Sequence, residues 1–227
     1  MPVEILQSCR FVQDAASIIE KEANKAIGMR NEFRIALSGG NTPQPIFAAL
    51  VKRTLHWSRT VVTFSDERCV RPNDARSNYF MASKALLDHV PIPEKNILRM
   101  KGELDPRAAA WEYELLLTSH AGDGIIYQHD LLLLGMGADG HTASLFHGTQ
   151  ALEVADRLVI ENYVPQLGAW RLTFTYPLIN AARHVLFLVQ SPTKDKVLQR
   201  VFSGKSNFPC SRVLPYNGRL TWLLGKA

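Results

Sequence analysis

Short apolar runs alternate with longer amphipathic stretches along the whole chain of 227 residues. This alternation is typical of a parallel β-sheet whose faces are covered by helices. The apolar runs predict strands at 33–37, 61–64, 130–134, 158–160, 171–175 and 185–189. The fold class that we predict is therefore α/β, with an open, mostly parallel, Rossmann-like sheet and helices on both faces.

Capping side chains mark the starts of three predicted helices. Thr42, Asp105 and Ser191 are each followed directly by proline, which is favoured at the first helical position. Residues 78–89 carry apolar side chains at helical spacing and predict a further helix that packs on the core. Because no repeat, low-complexity tract or Gly/Ser linker interrupts the pattern, we expect residues 1–227 to form a single domain.

The chain carries an excess of positive charge, with 26 Lys and Arg against 21 Asp and Glu and an isoelectric point near 9.2. Such a balance suits nucleic acid, an anionic membrane surface or a small anionic substrate. No block of five or six like charges is present, so the distribution favours the small substrate over nucleic acid.

Cysteine spacing and hydropathy predict a cytoplasmic protein. Cys9, Cys69 and Cys210 are far apart and include no CxxC pair, which argues against a disulfide framework and a zinc site and predicts a reducing compartment. The longest aliphatic run, Leu131–Leu134, is far shorter than the roughly 18 residues that a membrane span needs. The first residues also lack the charged start and apolar stretch of a secretory leader.

Two glycines lie between a predicted strand and a predicted helix. Gly39 and Gly40 allow a ligand to approach the backbone, and the start of the following helix attracts anions. Ser38 and Thr42 add hydroxyl donors. Since open α/β sheets bind ligands at the carboxyl ends of their strands, these residues predict a phosphate site. An ordinary tight turn with a helix cap is the structural alternative.

The apolar run 130–134 leads directly into the glycine-rich segment 135–148. We expect Asp139 and His141 at the entrance of a short helix, where a carboxylate can orient an imidazole that acts as general base. The same glycines also fit GxGxxG, and Glu161 lies about 20 residues further on, as in dinucleotide sites. The shortness of the expected helix, and a histidine at its start, count against this alternative.

Further charged residues are candidates for the same site. Asp66 and Arg68 follow a predicted strand, where a solvated loop is the simpler reading. Arg171 begins a predicted strand and Lys194 lies near the start of the last long helix. Each could bind a phosphate, although singly each is also an ordinary surface charge.

Six segments in this order resemble the 6-phosphogluconolactonase family, within the larger group that includes glucosamine-6-phosphate isomerases and deaminases. They are SGGNTP at 38–43, SDER at 65–68, SNYFMA at 77–82, GMGADGHTASLF at 135–146, WRLTFT at 170–175 and PCSRV at 209–213. The resemblance implies hydrolysis of 6-phospho-D-glucono-1,5-lactone to 6-phospho-D-gluconate in the oxidative pentose phosphate pathway. It also implies that no metal or organic cofactor is used.

Two positions favour the lactonases over the deaminases. The deaminases that the chain resembles carry a glutamate five residues after the histidine, where this chain has Phe146, and they tend to have tyrosine in place of Arg68. His147 is a departure from the lactonases, which usually have proline there. A deaminase-like sugar-phosphate isomerase remains the alternative enzyme, and a catalytically silent sugar-phosphate sensor the non-enzymatic one.

The resemblance and the residues together give a hypothesis for the mechanism. His141 deprotonates the attacking water and then protonates the leaving ring oxygen, while Asp139 or Asp66 orients the imidazole. Arg68 meets the developing negative charge. The residues expected to bind the 6-phosphate are Ser38, Gly39, Gly40, Thr42, Arg171 and Lys194. The expected partner is a small phosphosugar lactone, with no nucleic acid or membrane, and the chain is expected to be a monomer or a weak homo-oligomer.

Overall fold

A parallel six-stranded sheet forms the centre of the protein. The structure is a computed structural model that describes residues 3–121, 125–190, 194–204 and 206–225. The strands are β1 (Val3–Ser8), β2 (Phe33–Leu37), β3 (Thr60–Phe64), β4 (Asp66–Arg68), β5 (Leu131–Leu134), β6 (Val159–Val164), β7 (Ala169–Phe174), β8 (His184–Gln190) and β9 (Arg219–Gly225). The central sheet has the order β1-β9-β8-β5-β2-β3, and every neighbouring pair in it is parallel.

Helices cover both faces of this sheet. They are α1 (Phe11–Arg30), α2 (Gln44–Leu50), α3 (Asn78–Ala85), α4 (Pro106–Ala121), α5 (Tyr176–Asn180) and α6 (Asp195–Phe202). Helices α1 to α3 pack on one face, and α4 to α6 contribute to the core on the other. The predicted α/β fold with helices on both faces is thereby confirmed.

Burial on both faces explains why the central strands are apolar throughout. In β5, Leu131 and Leu133 point into the core beneath α1 to α3, whereas Leu132 and Leu134 point into the core beneath α4. All four side chains are fully buried. A strand with no solvent-facing side has no polar positions to alternate, so it reads as a continuous apolar run.

The winding of the sheet reverses between β2 and β5. From β2 the chain adds β3 on one side, whereas β5, β8 and β9 extend the sheet on the other. Parallel strands diverge into their loops at such a point, so a crevice opens at their carboxyl ends. The loops that follow β2, β3 and β5 are the three glycine-rich or charged segments that the sequence singles out.

A second sheet of three short strands was not predicted. It has the order β4-β7-β6 with antiparallel pairing, and it places Arg68 opposite Arg171, and Arg171 opposite Asn162. Asp66 pairs with Thr173 in the same sheet. The segments predicted at 158–160 and 171–175 therefore belong to this sheet and not to the parallel one.

Helix starts follow the predicted caps in part. Asp105 accepts a hydrogen bond from the backbone N–H of Ala108 at 3.0 Å, as a cap does. Helix α2 starts at Gln44, and Thr42 does not cap it. The predicted helix 78–89 is α3 followed by a short 3₁₀ turn at Leu87–His89. Ser191 lies outside the described residues.

The short helix expected after β5 is absent from the described segment 135–149, which consists of turns. Gly140, Ala143 and Gly148 have φ values of 80°, 47° and 74°, in the left-handed region. A right-handed helix cannot pass through three such residues within nine positions. The backbone instead turns sharply on itself, with the N–H of Gly137 donating to the carbonyl of His141 at 2.9 Å.

A buried carboxylate joins α1 to the central sheet, on the side away from the glycine-rich loops. Glu22 is 7% exposed, and its Oε1 lies 2.5 Å from Nη2 of Arg219 and 3.7 Å from Nδ1 of His184. Burial raises the pKa of Glu22, but the neighbouring His184 and Arg219 side chains lower it more, to about 2. The ionised carboxylate is therefore part of the folded structure.

We expect Glu22→Gln to lower the free energy of unfolding by about 2 to 3 kcal/mol above pH 5. Because the pKa in the folded state lies below that of the unfolded chain, this stabilisation is complete above pH 4.5 and is lost as the pH falls towards 2. Urea unfolding of both proteins between pH 7 and about pH 3 measures the difference.

Glu20→Gln is the matched control, because Glu20 is in the same helix and pairs with Arg53 at the surface. Its effect should be less than about 1 kcal/mol. A Glu22→Gln difference that stayed constant between pH 5 and pH 3 would contradict the assignment.

Candidate active site

A cleft with a volume of about 190 Å³, open to solvent, lies at the carboxyl ends of the central strands. Eight of the ten residues that the sequence predicts for the site line it: Ser38, Gly39, Gly40, Thr42, Asp66, Arg68, His141 and Lys194. The other two are adjacent to lining residues, since Asp139 contacts His141 and Arg171 pairs with Arg68 across β4 and β7.

The imidazole of His141 is oriented by Asp139 and by an aromatic ring. Its Nδ1 lies 2.5 Å from Asp139 Oδ1, and because an ionised carboxylate only accepts, Nδ1 carries the proton of this hydrogen bond. The ring also stacks on Phe146, with 4.1 Å between the ring centroids. Nε2 is then the nitrogen with a free lone pair, which is the arrangement that a general base requires.

The pair of side chains also affects the ionisation of Asp139. Partial burial raises the pKa of Asp139, but hydrogen bonds from the ring and backbone N–H of His141, with the charge of the ring, lower it below its ordinary value. Asp139 is therefore an anion at neutral pH. Asp66 is hydrogen bonded elsewhere, to Ser65 and Ser144, so the geometry favours Asp139 as the residue that orients the imidazole.

Two glycines allow this turn to close. A Cβ at Gly137 would lie 2.1 Å from His141 Nδ1 and 2.6 Å from Asp139 Oδ1. A Cβ at Gly140 would lie 2.6 Å from the ring of Phe208, whose segment is tied to the turn by the N–H of Cys210 donating to the carbonyl of Gly140. The position of the imidazole therefore requires glycine at residue 137, and the position of the turn requires glycine at residue 140.

The loop after β2 is shaped by Asn78 of α3. A Cβ at Gly39 would lie 1.9 Å from Asn78 Oδ1, so only glycine permits this approach. The amide nitrogen of Asn78 donates to the carbonyl of Asp66 at 2.8 Å. Asn78 therefore sets the spacing between two walls of the cleft, the loop Ser38–Gly40 and the start of β4.

Glu67 fixes the start of α3 relative to β4. Its carboxylate is 2% exposed and accepts from the backbone N–H groups of Arg68, Asn78 and Tyr79 and from the hydroxyl of Ser77, at 2.7 to 3.0 Å. Burial raises the pKa of Glu67 and these four hydrogen bonds lower it, with burial the larger effect. The side chain points away from the cleft and acts on it through Arg68 and Asn78.

Two cationic side chains, Arg68 and Lys194, line the cleft, and Arg171 is paired with Arg68. Arg68 and Arg171 are directly opposite each other on β4 and β7, and neither forms a salt bridge with a described carboxylate. Burial and the charge of Arg68 lower the pKa of Arg171, and burial lowers that of Lys194. Like charges opposed across two strands destabilise each other, so this arrangement favours a bound anion.

Several residues of the site were not predicted. Asn78 and Glu67 act by hydrogen bonding to backbone groups of other segments, and Ser144 donates to Asp66 Oδ2 at 2.8 Å. Ser77, directly before α3, is a capping residue and could have identified this segment as fixed. Nothing local in the sequence around Ser144 indicates its partner.

The dinucleotide alternative is wrong. A dinucleotide site needs a helix start directly after the glycines, and the described segment 135–149 has none. Glu161 lies within β6 of the three-stranded sheet. In a dinucleotide site the acidic residue belongs at the end of a neighbouring parallel strand, and Glu161 is remote from such a position.

Among the described residues, no group of three or more His, Cys, Asp and Glu side chains is arranged to hold a metal ion. The described helices also include none long and apolar enough to cross a membrane.

Comparisons with known proteins agree on one family. Residues 7–222 match the family described as glucosamine-6-phosphate isomerases/6-phosphogluconolactonase. A 6-phosphogluconolactonase of Synechocystis sp. is 42% identical over 94% of this chain and 90% of its own length, and one of Nostoc sp. is 39% identical over 99% and 95%. The crystal structure of a 6-phosphogluconolactonase of Thermotoga maritima, 27% identical, superposes with a TM-score of 0.90 over 99% of this chain and 100% of the other.

Gly137→Ala tests the packing of the imidazole. The added methyl group overlaps the His141 ring and the Asp139 carboxylate, so we expect turnover in this cleft to fall by at least about 100-fold while the protein remains folded. The measurement is kcat for the substrate of the site together with the near-UV circular dichroism and Tm.

Gly28→Ala is the control for adding a methyl group at a glycine. Nothing lies within 4 Å of a Cβ at Gly28, which is on the exposed side of α1. This variant should retain full activity and gain roughly 0.5 to 1 kcal/mol of stability. An active Gly137→Ala variant would contradict this packing of the imidazole against Gly137.

Proposed function

The chain belongs to the family of glucosamine-6-phosphate isomerases and 6-phosphogluconolactonases, and we propose that it hydrolyses 6-phospho-D-glucono-1,5-lactone to 6-phospho-D-gluconate. The curated relatives that are 39% to 42% identical over almost their whole length are 6-phosphogluconolactonases, in agreement with the function predicted from the sequence. The pairing of His141 with Asp139 in a cleft lined with cationic groups is the observation that carries the proposal.

Lactone opening is acyl transfer to water, and the cleft offers a group for each step. In our proposal, neutral His141 removes a proton from the water that attacks C1. Asp139 holds the imidazole and stabilises the imidazolium that forms. The tetrahedral intermediate then collapses, the C1–O bond to the ring oxygen breaks, and the imidazolium returns the proton to that oxygen. Arg68 stabilises the developing oxyanion.

The phosphate group of the substrate would bind near the cationic groups of the cleft. The proposed ligands that line it are the hydroxyls of Ser38 and Thr42, the backbone at Gly39 and Gly40, and the side chain of Lys194. Arg171, which is paired with the lining residue Arg68, is the further proposed ligand. A phosphate between these groups would relieve the repulsion between Arg68 and Arg171. The role of Asp66, which lines the cleft, would be to hold the attacking water by accepting its hydrogen bond.

One position separates this proposal from deaminase chemistry. Phe146 occupies the position where the deaminases resembled by the chain have a glutamate, and its buried ring lies flat on His141. An apolar ring cannot take or give a proton, so the cleft lacks that acid. Ammonia release from glucosamine 6-phosphate is therefore expected to be absent, and it would identify the alternative function if detected.

We further propose that residues 1–227 act as one domain, as a monomer or weak homo-oligomer in the cytoplasm, without a metal, cofactor or nucleic acid. The two apolar cores share a single central sheet, which supports one domain. All three cysteines are free thiols, as in a reducing compartment.

We expect His141→Ala to lower kcat by about 10² to 10⁴ with KM within about threefold of wild type, because proton transfer is lost while the phosphate ligands remain. The measurement is hydrolysis of freshly generated lactone against its spontaneous hydrolysis. His147→Ala is the matched control, since this exposed imidazole lies outside the cleft and should be dispensable. Unchanged kcat in His141→Ala would exclude this mechanism.

Lys194→Ala should change the kinetic parameters in the opposite way to His141→Ala. Loss of one charge-assisted contact to phosphate is expected to raise KM by about tenfold to 100-fold while kcat changes little. Steady-state kinetics at several salt concentrations measure both parameters, with Lys84→Ala as a control that removes an exposed lysine paired with Asp88. A fall in kcat alone would place Lys194 in the chemical step and not in phosphate binding.

A further inference from the structure

Ser144 joins the turn that carries His141 to all three strands of the small sheet. Its backbone N–H donates to Thr173 Oγ1 on β7 at 3.1 Å, and its carbonyl accepts from Asn162 Nδ2 on β6 at 2.8 Å. Its hydroxyl donates to Asp66 Oδ2 on β4 at 2.8 Å. Each polar group of one residue is thus bonded to a side chain on a different strand.

These hydrogen bonds lie where water cannot replace them. The exposed fractions are 2% for Ser144, 3% for Asn162, 8% for Asp66 and zero for Thr173. A buried polar group that loses its partner is costly, so the three bonds select one position of the turn strongly. Only Asp66 among the three partners also lines the cleft.

The backbone next to Ser144 is strained, and the hydrogen bonds of Ser144 can maintain this strained conformation. Ala143 has a φ of 47°, a left-handed conformation that costs a non-glycine residue roughly 1 kcal/mol or more. The residue lines the cleft directly after His141 and Thr142. A strained backbone conformation persists only where the surrounding structure holds it in place. At Ala143, the conformation is held by the hydrogen bonds of Ser144 and by the bridge between Thr142 and Leu145.

Asn162 extends the connection to the ring that supports the imidazole. Besides the carbonyl of Ser144, its Nδ2 contacts Thr149 Oγ1 at 3.1 Å. One amide group therefore holds both ends of the segment 144–149. Phe146, whose ring stacks on His141, lies inside this segment.

We propose that Ser144 is a positioning residue, which holds the His141 turn on the three-stranded sheet and orients the Asp66 carboxylate in the cleft. The inference rests on the proposed function, because it assigns the residue to lactone hydrolysis. It differs from a purely structural role in that the Ser144 hydroxyl acts through Asp66. Its loss should therefore affect turnover more than substrate binding or stability.

A double-mutant cycle tests the hydroxyl. Ser144→Ala should lower kcat by about tenfold with KM within about twofold of wild type, because the turn keeps its two backbone bonds while Asp66 loses its orientation. In the Asp66→Ala background the same change should lower kcat by less than about twofold. Equal effects in both backgrounds, or an effect on KM or Tm without one on kcat, would overturn the role of the hydroxyl.

A second pair of variants tests the position of the turn. Thr173→Val removes the acceptor of the Ser144 N–H, whereas Thr175→Val removes a buried hydroxyl that donates to the carbonyls of Arg157 and Leu158 and does not bond to the turn. Thr173→Val should lower kcat by about tenfold, and Thr175→Val should leave it unchanged at a similar loss of Tm. Equal kcat in the two variants would overturn the proposal.

Amide hydrogen exchange tests the position of the turn without relying on enzyme activity. The Ser144 N–H should be protected in wild type and in Thr175→Val and should exchange at least about tenfold faster in Thr173→Val. If wild type does not accelerate lactone hydrolysis, the proposed function fails, whereas the positioning of the turn is still supported by that difference in exchange. Equal exchange in both variants would overturn the positioning of the turn even in an active enzyme.

Discussion

The cleft depends on the buried carboxylate of Glu67. Four donors from two segments converge on it: the backbone of Arg68 on β4, and Ser77, Asn78 and Tyr79 at the start of α3. Because the first N–H groups of a helix have no partner within the helix, a carboxylate there satisfies groups that would otherwise be buried without hydrogen bonds. Once α3 is fixed in this way, Asn78 determines how closely the loop at Gly39 approaches β4.

The two sides of the cleft are held by different means. On the side of Glu67, one buried carboxyl group organises backbone donors, and the cationic groups Arg68 and Arg171 are left facing each other without salt bridges to described residues. On the side of His141, the backbone and hydroxyl hydrogen bonds of Ser144 and close contacts at Gly137 fix the turn. The groups proposed for anion binding and for proton transfer are thus held by separate networks, which meet at Asp66.

The sequence predicts the residues that line the cleft better than it predicts the residues that hold them in place. Continuous apolar runs predicted the central strands, since burial on both faces removes polar positions. Strand β9 has a run of the same kind and could have been predicted, whereas β1 is a partly exposed edge strand and β4 has only three residues, Asp66–Arg68, which become a strand by pairing with β7. The helix predicted at His141 does not form, because Ala143 has a left-handed backbone conformation although alanine favours helices. Tertiary contacts impose this conformation, and no local sequence pattern predicts it.

The same reasoning explains why Asp139 could not be distinguished from Asp66 in the sequence. Asp66 follows the predicted strand that ends at residue 64, and Asp139 follows the predicted strand that ends at residue 134. Both acidic residues are therefore expected near the cleft. What separates them is the competition for hydrogen bonds: the Asp66 carboxylate is occupied by two serine hydroxyls, whereas Asp139 has the His141 ring and backbone as its partners. Since one of those serines is 78 residues away, the discrimination requires the folded chain. The identity of the orienting carboxylate is thus a property of the small sheet, which brings Asp66 and Ser144 together and leaves Asp139 to the imidazole.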